Sequence, residues 1–238
     1  MKIAIFTDVH ANLPALEAAL TAIDRLNVDL IVHTGDVIAI GPHPAECLDR
    51  LLQLPHKRLI MGNHDAWFAF GLPQPRPDWM SDGELAHQQW THTQLSAHQR
   101  HQVQQWPFAH TETFAGVRVL MTHYGLDETG RNFAKFVPSP QAETLDRMFV
   151  NCNCDLVFYG HDHRASDVTG RARYVNPGSL GCYSEAVARF MELVCENGRF
   201  SLTHHAIPYN DASLFAALDS RQVPDRSFIR KNFYNGRG

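Results

Sequence analysis

At 238 residues, 44% of them apolar, the chain is long enough for a large domain with a buried core and lies far from a disordered composition. Its 21 basic and 25 acidic residues give a net charge of −4, so no bulk positive field draws in a polyanion and extended nucleic-acid binding is not expected. The five cysteines form no C-x-x-C pair and read as reduced thiols of a cytoplasmic protein, and no apolar run has the length of a signal peptide core or a membrane span.

Along the chain, strand and helix signals alternate at first. Ile3 to Phe6 is a short apolar run followed by polar loop residues. Asn12 is placed to cap a helix with Pro14 in its first turn, and Leu13, Leu16, Leu20 and Ile23 recur at helical spacing. Leu30 to Val32 reads as the next strand, a helix follows over about 45–54, and Arg58 to Met61 reads as a third strand. This βαβαβ rhythm predicts parallel strands joined by right-handed crossovers.

The stretch from about 67 to 113 differs. It carries Trp79, Trp90 and Trp106, three prolines (Pro73, Pro75, Pro77) and a polar helical run from Asp82 to Gln105. Its histidines, His87, His92, His98, His101 and His110, show no repeated ligand spacing. The segment reads as a helical cap or insertion within a single domain spanning 1–238, and no chemistry is assigned to it. The strand pattern resumes at Val117 to Met121 and again at Leu156 to Tyr159. Arg189 to Cys195 and Arg199 to His205 read as a hairpin around Glu196-Asn197-Gly198. Beyond Asp211 the pattern suggests one short helix and a loosely ordered end.

The 15 histidines are the unusual feature of the composition, because histidine is the commonest metal ligand. Five apolar strands end in Asp8-Val9-His10, Gly35-Asp36, Gly62-Asn63-His64-Asp65, His123 and Gly160-His161-Asp162-His163. In open α/β sheets the C-terminal strand ends converge on the ligand crevice. Each group alone is an ordinary turn or cap, but five in one chain point to a shared site.

The order D-x-H, G-D, G-N-H-D, H, G-H-x-H resembles the calcineurin-like metallophosphoesterase superfamily, and every signature position is filled. Residues 35–44 and Asn176-Pro177-Gly178-Ser179 are similar to its small bacterial and archaeal phosphodiesterase branch. The resemblance runs from Met1 to about Tyr209 and implies an α/β fold, a four-layer αββα sandwich of two mixed β-sheets. It also implies a two-metal centre, with Asp36 bridging the ions. Asp8, His10 and His163 would complete one site, and Asn63, His123 and His161 the other.

Two divalent ions roughly 3.5–4 Å apart bind phosphoryl oxygens and lower the pKa of a bridging water towards about 7. Imidazole and oxygen donors without thiolate suit Mn, Fe, Zn, Ni or Co. Two such ions outweigh Asp8, Asp36 and a bridging hydroxide, so the pocket would be cationic inside an anionic protein. The implied reaction is hydrolysis of a phosphodiester, or of a phosphomonoester, in a small or nucleotide-like substrate by attack of a metal-bridging hydroxide. His64 remains as the general acid, with Asp65 beside it to pair with the imidazolium.

Asn12, Tyr124, Arg131 and Arg164 are weaker candidates for substrate contact, each with a structural reading beside it (a cap, a packed ring, solvated surface cations). Tyr124 stands where the resemblance has glycine directly after the histidine. A protein phosphatase or a dinucleoside-polyphosphate hydrolase could use the same centre. A protein-interaction scaffold of this fold, like the retromer subunit, should have lost a ligand or the proton donor, and this chain retains all of them.

Overall fold

Alternation along each strand divides its apolar residues between two cores. The computed structural model describes residues 1–238 and begins with β1 (Lys2–Phe6), α1 (Leu13–Leu26), β2 (Leu30–His33), α2 (Pro44–Leu52) and β3 (Lys57–Leu59). Helices α3 (Asn63–Phe70), α4 (Asp82–Thr93) and α5 (Ala97–Val103) follow, then β4 (Ala109–Phe114), β5 (Val117–Thr122), α6 (Ala142–Met148) and β6 (Leu156–Phe158). The chain ends with β7 (Ser166–Thr169), β8 (Arg173–Asn176), β9 (Val187–Glu196), β10 (Arg199–Pro208), α7 (Ala212–Ser220) and α8 (Arg226–Phe233).

Two five-stranded mixed sheets result, ordered β10-β9-β1-β2-β3 and β4-β5-β6-β8-β7. Strands β1, β2 and β3 pair in parallel, as do β5, β6 and β8; β9 and β10 in the first sheet and β4 and β7 in the second pair antiparallel, and β3 is a parallel edge. Side chains of consecutive strand residues face opposite sides. Ile3 and Ile5 therefore enter the core between the sheets with Val119, Met121, Leu156 and Phe158, while Ala4 and Phe6 pack with Leu16, Ala19 and Leu48 under the helices of the first sheet. On the far side Val157 and Tyr174 join Leu145 of α6. The layers run helix, sheet, sheet, helix, so the expected four-layer sandwich is present.

Asn12 caps α1, its Oδ1 accepting from Ala15 N–H (3.1 Å). The hairpin joins β9 to β10 with Glu196 opposite Arg199, and both Asn197 (φ 50°) and Gly198 (φ 73°) take the left-handed conformation that a two-residue turn requires.

The segment expected to be a helical insertion is only partly helical. The run from Asp82 to Gln105 breaks at Gln94–Ser96, where Ser96 and Gln99 form a reciprocal cap that starts α5 afresh. Its last part is β4, an edge strand of the second sheet whose polar alternation Ala-His-Thr-Glu-Thr-Phe hid it in the sequence. Trp106 is buried in the core under the first sheet. Strands β7 and β8 and helix α6 were likewise too short and polar to read.

The tail also differs from expectation. It forms two helices, not one helix and a loose end, and Leu214, Phe215, Leu218, Ile229 and Tyr234 pack with Ile40 and Cys182. Leu218→Ala should lower unfolding free energy by about 2–5 kcal/mol, the range for emptying a buried leucine site. Urea denaturation checks this, and a midpoint unmoved from the parent would contradict the packing.

Candidate metal centre

Every strand-end group named from the sequence converges on one region. Asp8 and His10 follow β1, Asp36 follows β2, Asn63 and His64 open α3, His123 follows β5, and His161 and His163 follow β6. Asp8, His10, Asp36 and His123 are fully or almost fully buried. Asp8 (φ 54°), His10 (47°), Asp36 (61°), His161 (69°) and His163 (57°) all adopt the left-handed region, an unfavourable conformation held by the surrounding bonds.

Those bonds are identifiable. Ser179 Oγ donates to Asp8 O (2.7 Å), and Asn176 Nδ2 donates to Gly160 O (3.1 Å). The Asn-Pro-Gly-Ser segment thus braces two ligand loops at once. Asp8 accepts from His161 N–H at 3.1 Å through Oδ2, and Asp36 Oδ1 accepts from His64 N–H at 2.9 Å. His87 Nε2 accepts from Ile40 N–H (2.7 Å), so a histidine of α4 holds the loop after Asp36.

Asp36 Oδ2 is the common point. It lies 3.2 Å from His123 Nε2, 3.9 Å from His10 Nε2 and 4.0 Å from His64 Nε2. On one side His10 Nε2 meets His163 Nε2 at 2.9 Å, with Asp8 Oδ1 at 3.5 and 3.4 Å from the two nitrogens. On the other side His161 Nδ1 is 3.3 Å from His123 Nε2. His10 Nδ1 faces Ile38 O and His123 Nδ1 faces Thr34 O, so those nitrogens donate and each Nε2 points inward, where a cation could take its lone pair.

This donor set fits divalent ions. Asn63 Oδ1 faces three acceptors, Asp36 Oδ2 (3.3 Å), His161 Nδ1 (2.9 Å) and His123 Nε2 (3.2 Å), where hydrogen bonding alone would turn the amide nitrogen inward. Lone pairs converging in a buried space repel unless a cation lies between them. Two groups of potential ligands, His10 with Asp36 and His64, and Asp36 with His123 and His161, share Asp36.

Protonation runs the same way. Burial raises the carboxyls of Asp8 and Asp36, but His163 against Asp8 and His123 against Asp36 pull both well below the ordinary range. Burial pushes His10 down to about 4 and His161 to about 3, keeping their rings neutral. His123 departs from this pattern: against its own burial, the facing Asp36 carboxylate raises it to about 9, so without a cation between them a proton on Nε2 fills that place.

Several expectations need correction. Asp65 does not pair with His64. Its buried carboxylate accepts from the backbone N–H of Asp36 (2.8 Å), Val37 (3.1 Å) and Gly62 (3.0 Å), stitching the Asp36 loop to the start of α3. Burial and the nearby Asp36 carboxylate push it up to about 6. The partner of His64 is Gln88, whose Nε2 lies 2.8 Å from His64 Nδ1 and also donates to Glu84 Oε1 (2.7 Å).

The Asn12 amide is fully engaged, donating to Gly181 O and Tyr209 Oη besides its cap, so it has no group left for substrate. Tyr124 is a buried ring beside His161, its hydroxyl tied to Val137 N and O. Arg164 donates to Ser139 Oγ and does not line the cavity over the centre, whereas Arg131 does. Unforeseen in the sequence were Gln88 and Cys182, whose Sγ groups with His10 and His163. Neither carries a local signal, since only the folded chain brings α4 and the loop after β8 to the centre.

A family model described as the calcineurin-like phosphoesterase superfamily domain matches residues 1–216. The chain belongs to that superfamily. A calcineurin-like phosphoesterase is metal-dependent, and the buried histidines and aspartates described above supply groups that could bind the metal. The chain is 36% identical over 63 residues to an uncharacterised protein of Methanocaldococcus jannaschii, a match spanning 26% of each chain, so only about a quarter of that curated relative's length is covered.

Among solved structures, a hypothetical protein from Pyrococcus horikoshii superposes with a TM-score of 0.82 at 17% identity, covering 99% of this chain and 98% of that one. A metallophosphoesterase from Sphaerobacter thermophilus gives 0.70 at 23% identity, covering 96% of each. These likenesses show the calcineurin-like fold. No helix is long and apolar enough to cross a membrane.

Gly160 has no room for a side chain, since a Cβ there would meet Thr7 Oγ1 and lie 2.7 Å from Asp8 Oδ2. Gly160→Ala should therefore displace Asp8 and weaken metal retention while the fold persists. Elemental analysis after dialysis, beside far-ultraviolet circular dichroism, checks this, and full retention would refute the close approach.

Proposed function

We propose that this chain is a dinuclear-metal phosphoesterase that hydrolyses phosphodiester or phosphomonoester bonds in a small or nucleotide-like substrate, with His64 as general acid. The observation that supports it best is Asp36 Oδ2, placed between the histidines of two donor groups. Asp8, His10, Asp36 and His163 would hold one ion, and Asp36, Asn63, His123 and His161 the other. Bound ions would supply Lewis acidity towards the phosphoryl oxygens and a nucleophile at neutral pH. Mn, Fe, Zn, Ni and Co remain the candidates. The five free thiols are consistent with a cytoplasmic setting.

The protein's own groups account for the remaining needs of the reaction. His64 is only slightly exposed, with Nε2 towards Asp36 Oδ2 and its edge at the cavity. In the hydrogen-bond network Gln88 donates to Nδ1, which leaves the proton on Nε2, facing the centre. Gln88 is thus the positioning residue for His64, standing where the sequence suggested Asp65 as a charged partner for the imidazolium. The complete ligand set favours an enzyme over an interaction scaffold of the same fold.

Purified protein should carry two divalent ions per chain, and Asp36→Asn should lose both. One ion or none in carefully metallated parent protein would end the dinuclear reading. His64→Gln should keep the metals but lose about 10²–10⁴-fold in kcat on an unactivated alkyl ester, the scale of general acid catalysis. The loss should shrink on an aryl ester, whose leaving group needs little protonation. Gln88→Leu should give a smaller loss with the same dependence on leaving group. Parent-level turnover by His64→Gln on the alkyl ester would remove His64 from the reaction.

A further inference from the structure

A cavity of about 1400 Å³ opens from His64, Asn63 and His161. Its apolar lining is distinctive: apart from Ile40, two alanines and two prolines, every apolar residue is aromatic. Acyl chains are usually met by branched aliphatic side chains, whereas flat π-faces suit flat rings.

The rings are arranged for such a ligand. Trp67 lies three residues after His64, on the same face of α3, with its edge against the imidazole (4.8 Å between centroids). Trp79 stacks on Trp67 at 5.8 Å and 27° and is 64% exposed. Across the cavity Phe136, 45% exposed, packs edge-on to His161 at 5.2 Å. Phe70, 62% exposed, also lines the cavity and stacks on Phe108. Exposed rings gathered around one opening form an apolar patch of the kind that marks a binding surface. The same wall as Phe136 carries two exposed cations, Arg131 and Lys135. A ligand matching these features has a phosphoryl group at the metal centre, a planar ring within reach of it, and negative charge for the two cations.

We propose that the cavity binds the nucleoside portion of a nucleotide phosphoester, its base stacked on the Trp67–Trp79 pair and its phosphate charge shared by Arg131 and Lys135. The inference rests on the phosphoesterase reading of the centre and specifies the substrate class. Neither tryptophan belongs to the strand-end groups: Trp79 lies in the loop before α4, and Trp67 is placed by α3.

Two esters with one leaving group test it, thymidine 5′-(p-nitrophenyl phosphate) and methyl p-nitrophenyl phosphate. The parent should prefer the nucleoside ester, and Trp79→Ala should lower the ratio of the two kcat/KM values about tenfold, which corresponds to about 1.4 kcal/mol. Base stacking on an aromatic side chain reaches that size. A binding measurement separates this inference from catalysis. Metal-loaded His64→Gln protein should bind adenosine 5′-monophosphate about tenfold more tightly than ribose 5-phosphate, and the difference should vanish when Trp79→Ala is added.

If neither ester is hydrolysed, the enzymatic reading fails and the titration alone decides the base site. Should both esters react equally and the two phosphates bind alike, the nucleoside inference is overturned while the esterase stands. A concentration-dependent dimer that Trp79→Ala dissolves would also overturn it, since the patch would then belong to a second copy of the chain.

Discussion

The crowding of acceptor atoms around the buried Asp36 carboxylate is the constraint on which the rest of the structure depends. Two carboxylates, an amide oxygen and four imidazoles face one another at 2.9–3.9 Å. Water has little access, so nothing but shared protons or cations can offset the repulsion. The backbone holds five of these candidate ligand residues in the left-handed region, each costing roughly 1–3 kcal/mol. Such an arrangement persists only if neighbouring elements over-determine it. The three N–H groups held by Asp65, the brace from Asn176 and Ser179, and the His87 bond to Ile40 all do so.

The two sheets make the convergence possible. Parallel strands β1, β2 and β3 end at the same edge, as do β5, β6 and β8, and the apolar core between the sheets keeps the two edges side by side. One sheet delivers Asp8, His10, Asp36 and Asn63. The other delivers His123, His161 and His163. Neither carries a complete site, so the packing of the sheets is itself part of the ligand geometry.

A division of labour follows. The strand ends supply the candidate metal-binding groups, and the less regular segments shape the cavity beside them. Helix α4 contributes Gln88 behind His64, the loop before it contributes Trp79, the 129–136 loop contributes Arg131, Lys135 and Phe136, and the tail helix α8 contributes Phe233. Segments of this kind vary more readily than a sheet, because few backbone bonds depend on them, and they are where one fold is turned to different substrates.

The candidate strand-end ligands were legible because each is a polar group closing a short apolar run, and five such runs in one chain are hard to explain separately. Helix α1, the parallel β1-β2-β3 unit and the β9–β10 hairpin were legible for the same reason: local periodicity and turn chemistry specify them. Asp65 was misread because adjacency in sequence suggested a partner for His64, whereas in α3 the side chain turns back to the Asp36 loop. Strand β4 looked polar because it is an edge strand with one solvated face. By itself the sequence determined which residues could bind metal and in what order the strands present them, since those depend on residue type and local pattern. Only the tertiary structure decided that Gln88 stands behind His64 and that the tryptophans border the same cavity. Those contacts join segments whose positions are set by the burial of distant apolar surfaces.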